Sequence, residues 1–186
     1  MNNSQTSFSV ESLKLINQLL TQDKKTSTYK FALLRAIAEI SLENSPQVIF
    51  QNGNAHIPRE LLVEKWLFYY YPIFENKTGQ FQIIGNANLA FADSIISLVN
   101  YYQSKGGFDS FNRDYHRGKI PEEIKTRLED LEKKINTVIW NQPCKHLGFS
   151  IFNQHYSIIE KSTISRDFLK KAERKSKFGF VQIEIS

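Results

Sequence analysis

The sequence has a single cysteine, Cys144, among 186 residues, so an internal disulfide is impossible, and no Cys/His group has zinc-site spacing. Five prolines and eight glycines exclude collagen-like and low-complexity chains. The longest apolar run, residues 66–71, is far shorter than the roughly 20 residues that cross a bilayer, and the polar start lacks a signal-peptide pattern. We therefore expect a cytoplasmic protein without membrane association, whose fold depends on its apolar core.

The positive charge is concentrated in the second part of the chain. Residues 1–104 carry eight Lys/Arg and eight Asp/Glu, whereas residues 105–186 carry sixteen and eleven, which accounts for the net charge of +5. Seven cations and only two acids fall within residues 161–177, here called the basic segment. Such a field attracts polyanions, above all nucleic acid, although a solvated helix face has the same composition. The predicted DNA contacts in this segment are Arg166, Lys170, Lys171, Arg174, Lys175 and Lys177.

Apolar periodicity predicts a mainly helical α+β fold. Helices are expected over about residues 8–20, 28–44, 58–71, 86–103, 108–116, 121–141 and 165–176, with Ser27 or Thr28 capping the second and Ser165 the last. Asn52-Gly53 predicts a β-hairpin over residues 48–57; a second hairpin over 149–159 and a late strand over 178–185 are also expected. We predict a helical lobe with a small hairpin over 1–104 and a basic α+β lobe over 105–186 packed on it.

Catalytic and metal-binding motifs are scarce in the sequence. The histidines are dispersed and the glycines match no phosphate-binding loop, so we assign no catalytic residue and expect no metal or cofactor in this chain. Cys144 and His146 are close in sequence, but near neighbours rarely face each other, which favours a structural thiol over a nucleophile. Asn153 and His155 have the residue types of an HNH nuclease but no further ligands, which favours turn residues.

The aromatic run over residues 68–71 is a further feature. Four consecutive rings cannot share one helix face, so at least one of the three tyrosines is expected at a surface or groove, where it could stack on a base. The simpler interpretation is a tyrosine hydroxyl that reaches water at the edge of the core.

Three segments carry a resemblance to a known family: residues 27–40 (STYKFALLRAIAEI), 57–72 (IPRELLVEKWLFYYYP) and 135–148 (INTVIWNQPCKHLG). Over about residues 26–160, the chain resembles the N-terminal region of bacterial HNH-endonuclease-domain proteins of the restriction or defence type. The resemblance implies a helical region for target engagement or assembly, followed by a nuclease module whose His and Asn residues bind a divalent metal. At the matched positions it implies that Tyr29, Lys30 and Arg35 are candidate DNA contacts.

The chain departs from that family pattern because it ends at Ser186 without such a module. We therefore predict a DNA-binding domain or subunit of a restriction-type HNH endonuclease system, either a fragment of a longer nuclease or a relative that binds without cutting. Whether the chain is an enzyme is left open, and the first alternative is a small metal-dependent nuclease with a noncanonical site. The second is a protein-interaction subunit that docks the apolar face of residues 122–139 on another helix. DNA is the expected partner, with a protein partner or a homodimer as the other alternative.

Overall fold

The computed structural model describes residues 21, 28–76, 89–147, 159–171 and 176–184. Its helices are α1 (Tyr29–Leu42), α2 (Arg59–Glu75), α3 (Ala92–Gln103), α4 (Gly107–His116), α5 (Glu122–Ile139) and α6 (Arg166–Lys171), and a π-helical turn (Trp140–Cys144) continues α5. Its strands are β1 (Ile49–Gln51), β2 (Asn54–Pro58), β3 (Ile159–Lys161) and β4 (Phe180–Glu184). The fold is mainly helical α+β, as the sequence predicts.

Helix α2 lies at the centre of the core because apolar side chains cover most of its circumference. Leu62, Trp66, Leu67 and Tyr71 are fully buried. The helix packs against α1, α3, α4 and α5 and contacts β2. Its neighbours are therefore held together through one shared apolar core.

The predicted end of this helix before Pro72 is wrong. Helix α2 continues through Pro72 to Glu75, although a proline inside a helix removes a backbone hydrogen bond. Tertiary contacts hold the last turn: Phe74 packs on the core, and Glu75 Oε1 accepts the Phe108 N–H at 2.8 Å. That carboxylate also satisfies a free donor at the start of α4.

The β1–β2 hairpin is confirmed, and Asn52 and Gly53 take the positive φ angles of its turn (52° and 71°). β2 also pairs with β4, and β4 with β3, giving an antiparallel sheet in the order β1-β2-β4-β3. The sheet thus joins strands from both parts of the sequence. The predicted helix over 8–20 and most of the predicted hairpin over 149–159 lie outside the described residues.

The predicted caps differ in outcome. Ser165 Oγ accepts the Phe168 N–H at 3.1 Å, so the cap of α6 is confirmed. The cap by Thr28 is wrong, since its side chain makes no capping bond to α1 and its hydroxyl lies 2.9 Å from the Tyr70 hydroxyl. Ser27 lies outside the described residues. The helix predicted over 121–141 ends as an α-helix at Ile139 and continues as the π-helical turn to Cys144, with Pro143 inside that turn.

The apolar face of α5 is buried inside the molecule. Ile124, Leu131 and Ile135 have no exposed surface, and α5 packs against α2 and α3. The alternative in which residues 122–139 dock on a partner helix through this apolar face is therefore wrong, because α2 and α3 of the same chain cover the face.

Gly107→Ala is expected to destabilise the fold by about 2–4 kcal/mol. Gly107 has φ +60°, which costs an L-residue about 1–2 kcal/mol, and a Cβ there would collide with Glu75 Oε1 and displace the cap on Phe108. Gly118→Ala is the matched control, since its φ is +63° and no atom of the described residues lies within 4 Å of the added Cβ. Chemical denaturation compares the two, and equal costs would contradict the capping role of Glu75.

Candidate nucleic-acid interface

The basic segment leaves and rejoins the sheet at one end. Lys161, the last residue of β3, pairs with Val181, and Pro58, the last residue of β2, pairs with Phe180 at the start of β4. Because β3 and β4 are adjacent and antiparallel, the connection between them begins and ends beside Arg59, the first residue of α2. This places Arg59 next to both ends of the most basic part of the chain.

Two cations converge on one aromatic ring at this end of the sheet. The Arg59 guanidinium carbon lies 5.7 Å from the centre of the Trp140 ring, and Lys161 Nζ lies 5.6 Å from it. Trp140 is half-buried, and its position is set by the π-helical turn that continues α5. Such turns are frequent at functional sites. We call Arg59, Trp140 and Lys161 the cation–indole cluster.

The two cations of this cluster are not ion-paired with a described acid, although Glu60 is near enough to Arg59 to oppose the burial shift of its pKa. No ion pair within 4 Å involves Arg59 or Lys161 in the described part of the chain, whereas cations such as Arg35, Lys65 and Lys177 pair with glutamates. Alternation along β3 places the neighbouring Glu160 on the opposite face of the strand from Lys161. The cluster therefore carries positive charge that a bound anion can neutralise.

Arg59 is fixed in place by the start of β4. Its backbone N–H donates to Gly179 O at 2.9 Å, and its Nη2 donates to Phe178 O. Its Nε is buried and has no hydrogen-bond partner in the described ranges. Burial lowers the pKa of the guanidinium from its ordinary value, and the nearby Cys144 and Glu60 oppose that shift. The Arg59 guanidinium is thus held in one orientation, while its Nε lacks a hydrogen-bond partner among the described residues.

Sequence reasoning missed Arg59 and Trp140. Arg59 belongs to an apolar helix and carries no local motif, and Trp140 follows an amphipathic helix whose pattern predicts only core positions. The one available signal was rarity: the chain has two tryptophans, and Trp140 lies beyond the last predicted core position, Ile139.

The predicted DNA contacts of the basic segment lie partly on α6 and partly outside the described residues. Lys170 is exposed on α6, and Arg166 and Lys171 lie in the same helix. Arg174 and Lys175 lie outside the described residues.

Among the basic-segment side chains that the structure describes, Lys177 has its charge compensated by an acid. Its Nζ donates to Glu132 Oε2 at 2.6 Å, and Glu132 Oε1 accepts the Tyr115 hydroxyl at 3.1 Å. Glu132 is only 9% exposed, so the lysine provides the countercharge of a buried acid. A phosphate would have to compete with this carboxylate for Lys177.

The contacts implied by the family resemblance lie on α1. Tyr29 is a core residue, 8% exposed, with its ring stacked on Trp66 at 5.4 Å, so we correct its assignment as a DNA contact. Arg35 is exposed, donates to Glu39 at 2.8 Å and covers the Tyr69 ring at 4.1 Å. Lys30 is half-buried. The structure therefore does not place Tyr29 or Arg35 in the cation–indole cluster.

The aromatic run over 68–71 lies against the core. Tyr70 and Tyr71 are buried, and Tyr69 is half-buried beneath Arg35 with its hydroxyl inaccessible. The expectation of a base-stacking tyrosine in this run is therefore not supported by its surroundings, and Trp140 is the better placed ring.

The Cys144 thiol and the His56–Ser162 pair have residue types that occur in catalytic sites. Burial raises the pKa of the Cys144 thiol to about 12, so its thiolate is scarce at neutral pH. His56 Nδ1 lies 2.7 Å from Ser162 Oγ, but the next two N–H groups are engaged: Thr163 N donates to Gln182 Oε1 and Ile164 N to Ser162 Oγ. The His56–Ser162 contact joins β2 to the residue after β3. Because the N–H groups of Thr163 and Ile164 are already engaged, neither is available as an oxyanion donor beside Ser162.

Within the described ranges, no group of three or more His, Cys, Asp or Glu side chains is arranged to hold a metal ion. Asn153 and His155 lie outside those ranges. None of the described helices combines the length and apolarity needed to cross a bilayer.

Comparison with known proteins gives one result. The model of the domain of unknown function DUF8808 matches residues 9–185, which is nearly the whole chain. No curated protein and no solved structure matches the chain significantly. The chain belongs to the DUF8808 family.

Proposed function

We propose that this chain is a DNA-binding domain that contacts phosphates through its basic segment. One observation carries the proposal: Arg59 and Lys161, from distant parts of the sequence, converge on Trp140 where the basic segment leaves the sheet, and neither forms an ion pair with a described acidic residue. Uncompensated cations grouped on one surface are the electrostatic footprint of nucleic-acid binding.

The structure modifies the set of contacts that we propose. The phosphate contacts are Lys161, Arg166, Lys170, Lys171, Arg174 and Lys175, with Arg59 beside them. Lys177 becomes a contact only if it leaves Glu132. Lys30 and Arg35 stay as secondary candidates on α1, and Tyr29 is removed because it is buried.

The biological setting of the proposal rests on the sequence resemblance. A helical region like that of restriction-type HNH endonuclease proteins would engage the DNA target, and a nuclease module that carries its own divalent metal would cut it. We place this activity in the cytoplasm, where the target DNA is found.

Removing two cations from the basic segment is expected to weaken DNA binding by roughly tenfold per lost contact at low salt. Lys161→Gln with Lys170→Gln changes one exposed side chain on β3 and one on α6, neither in an ion pair with a described residue. Fluorescence anisotropy with a short labelled duplex measures the loss.

The matched control is Lys125→Gln with Lys133→Gln. These lysines are also exposed, but they lie on α5 and pair with Glu122 and Asp130. The same charge is removed from another surface, so the affinity of the control variant should stay close to that of the wild type. Equal losses in both double variants would show that only net charge matters and would defeat the proposed interface.

A further inference from the structure

We infer that the cation–indole cluster is a binding site for one unpaired nucleotide, with its phosphate between Arg59 and Lys161 and its base stacked on Trp140. This inference rests on the proposed function and extends it, because it names the form of nucleic acid that the site takes. The chemistry required is a phosphorylated nucleoside with an accessible base face.

The phosphate part of the argument follows from charge. Just before β4, Arg59 Nη2 donates to Phe178 O and the Arg59 backbone N–H donates to Gly179 O, so the guanidinium is already oriented before a ligand arrives. Lys161 is exposed, and its flexible stem lets the ammonium move from the indole to a phosphate. Neither cation has a described carboxylate within 4 Å. A phosphate would supply the missing negative charge to both.

The base part of the argument follows from the Trp140 ring, which both cations approach. Trp140 is half-buried, so it keeps an accessible surface while the π-helical turn fixes its position. Flat aromatic rings beside cations are the platforms on which proteins stack single-stranded bases, since every base has a π face. An aliphatic side chain at position 140 would pack equally well against its neighbours, but a base could not stack on it.

A phosphate contact combined with base stacking on Trp140 favours single-stranded DNA over duplex DNA. A base inside a duplex stacks on its neighbours and cannot lie on a protein ring unless it is unpaired or flipped out. Phosphate contacts alone do not distinguish the two forms in this way. The cluster should therefore add affinity for single-stranded DNA that the rest of the basic segment does not supply.

Tryptophan fluorescence tests the inference directly. Trp66 has no exposed surface, so a ligand that stacks on a tryptophan must quench Trp140. The probes are a short oligothymidylate, its duplex with oligoadenylate, thymidine 5′-monophosphate and inorganic phosphate. Oligothymidylate should quench the emission strongly and the duplex weakly.

Substitutions at the ring separate stacking from charge. Trp140→Leu should weaken oligothymidylate binding by about 5- to 150-fold, the range for loss of one stacked base, while duplex affinity changes little. Trp140→Phe keeps an aromatic face and should restore most of the affinity. Lys161→Gln should weaken binding of the oligothymidylate by roughly tenfold with stacking retained. If Trp140→Leu does not fold by circular dichroism, quenching of Trp140 in the wild-type chain decides the question, since stacking requires stronger quenching by thymidine 5′-monophosphate than by inorganic phosphate.

Each pattern of results has a separate meaning. Salt-dependent duplex binding with unchanged Trp140 emission on adding oligothymidylate overturns the nucleotide site and leaves the proposed function standing. Quenching by thymidine 5′-monophosphate without binding of either nucleic acid overturns the proposed function and assigns the site to a free nucleotide. Quenching by inorganic phosphate equal to that by the mononucleotide overturns the stacking part. No binding of any probe at low salt overturns both proposals.

Discussion

Raising the salt concentration from about 50 to 200 mM should weaken DNA binding by this chain about 100- to 1000-fold, as expected for four to six neutralised phosphates. Each phosphate contact releases condensed counterions, and the logarithm of the affinity falls by about 0.9 per contact for each logarithmic unit of salt. The basic segment without Lys177 provides six cations, so the estimate does not need the lysine that Glu132 holds.

The slope of the logarithm of affinity against the logarithm of salt concentration shows whether binding depends on phosphate contacts. An anisotropy titration of the same duplex at several salt concentrations gives the number of contacts independently of the absolute affinity. The double variant of Lys161 and Lys170 should reduce the slope by about 1.8, which is twice the value per contact, and the control on α5 should leave it unchanged. A flat salt dependence would mean that binding does not depend on phosphate contacts, and the interface proposed here would be wrong.

Much of the local structure follows from the sequence because its determinants are local. Asn52-Gly53 dictates a tight turn, Ser165 caps α6, and the apolar period over residues 122–139 defines α5. The helix through Pro72 was not predictable in the same way. Its last turn is held by Phe74 and Glu75 through contacts with residues that follow much later in the chain, and those contacts override the local cost of proline.

The candidate site depends almost entirely on distant contacts. Charge counting identifies the basic segment, but it cannot reveal that Lys177 neutralises the buried Glu132. Nor can periodicity bring together Arg59, Trp140 and Lys161, which meet because β2 pairs with β4 and β4 with β3. A pairing between strands this far apart in sequence leaves no signal in either strand alone.

Trp66→Ala should be the most damaging core substitution proposed here, with a loss of about 3–5 kcal/mol in the free energy of unfolding. Trp66 has no exposed surface, and its ring stacks on Tyr29 at 5.4 Å and contacts Tyr70 and Phe91 at 5.7 and 6.4 Å. Truncation leaves a large cavity where α1, α2 and the start of α3 meet. Because whole domains are stable by only about 5–15 kcal/mol, this loss is a large part of the total.

Trp66→Phe should cost much less than the alanine variant. The Trp66 Nε1 is buried and has no hydrogen-bond partner in the ranges that the structure describes, and an unsatisfied buried donor costs about 1–3 kcal/mol. Phenylalanine removes that donor while keeping a ring against Tyr29, so the two effects partly cancel. Phe50→Ala is the control for loss of an aromatic side chain, since Phe50 is 69% exposed on β1, and it should cost no more than about 1 kcal/mol. Urea denaturation followed by circular dichroism orders the three variants, and a similar loss for Trp66→Ala and Phe50→Ala would contradict the central position of Trp66 in the core.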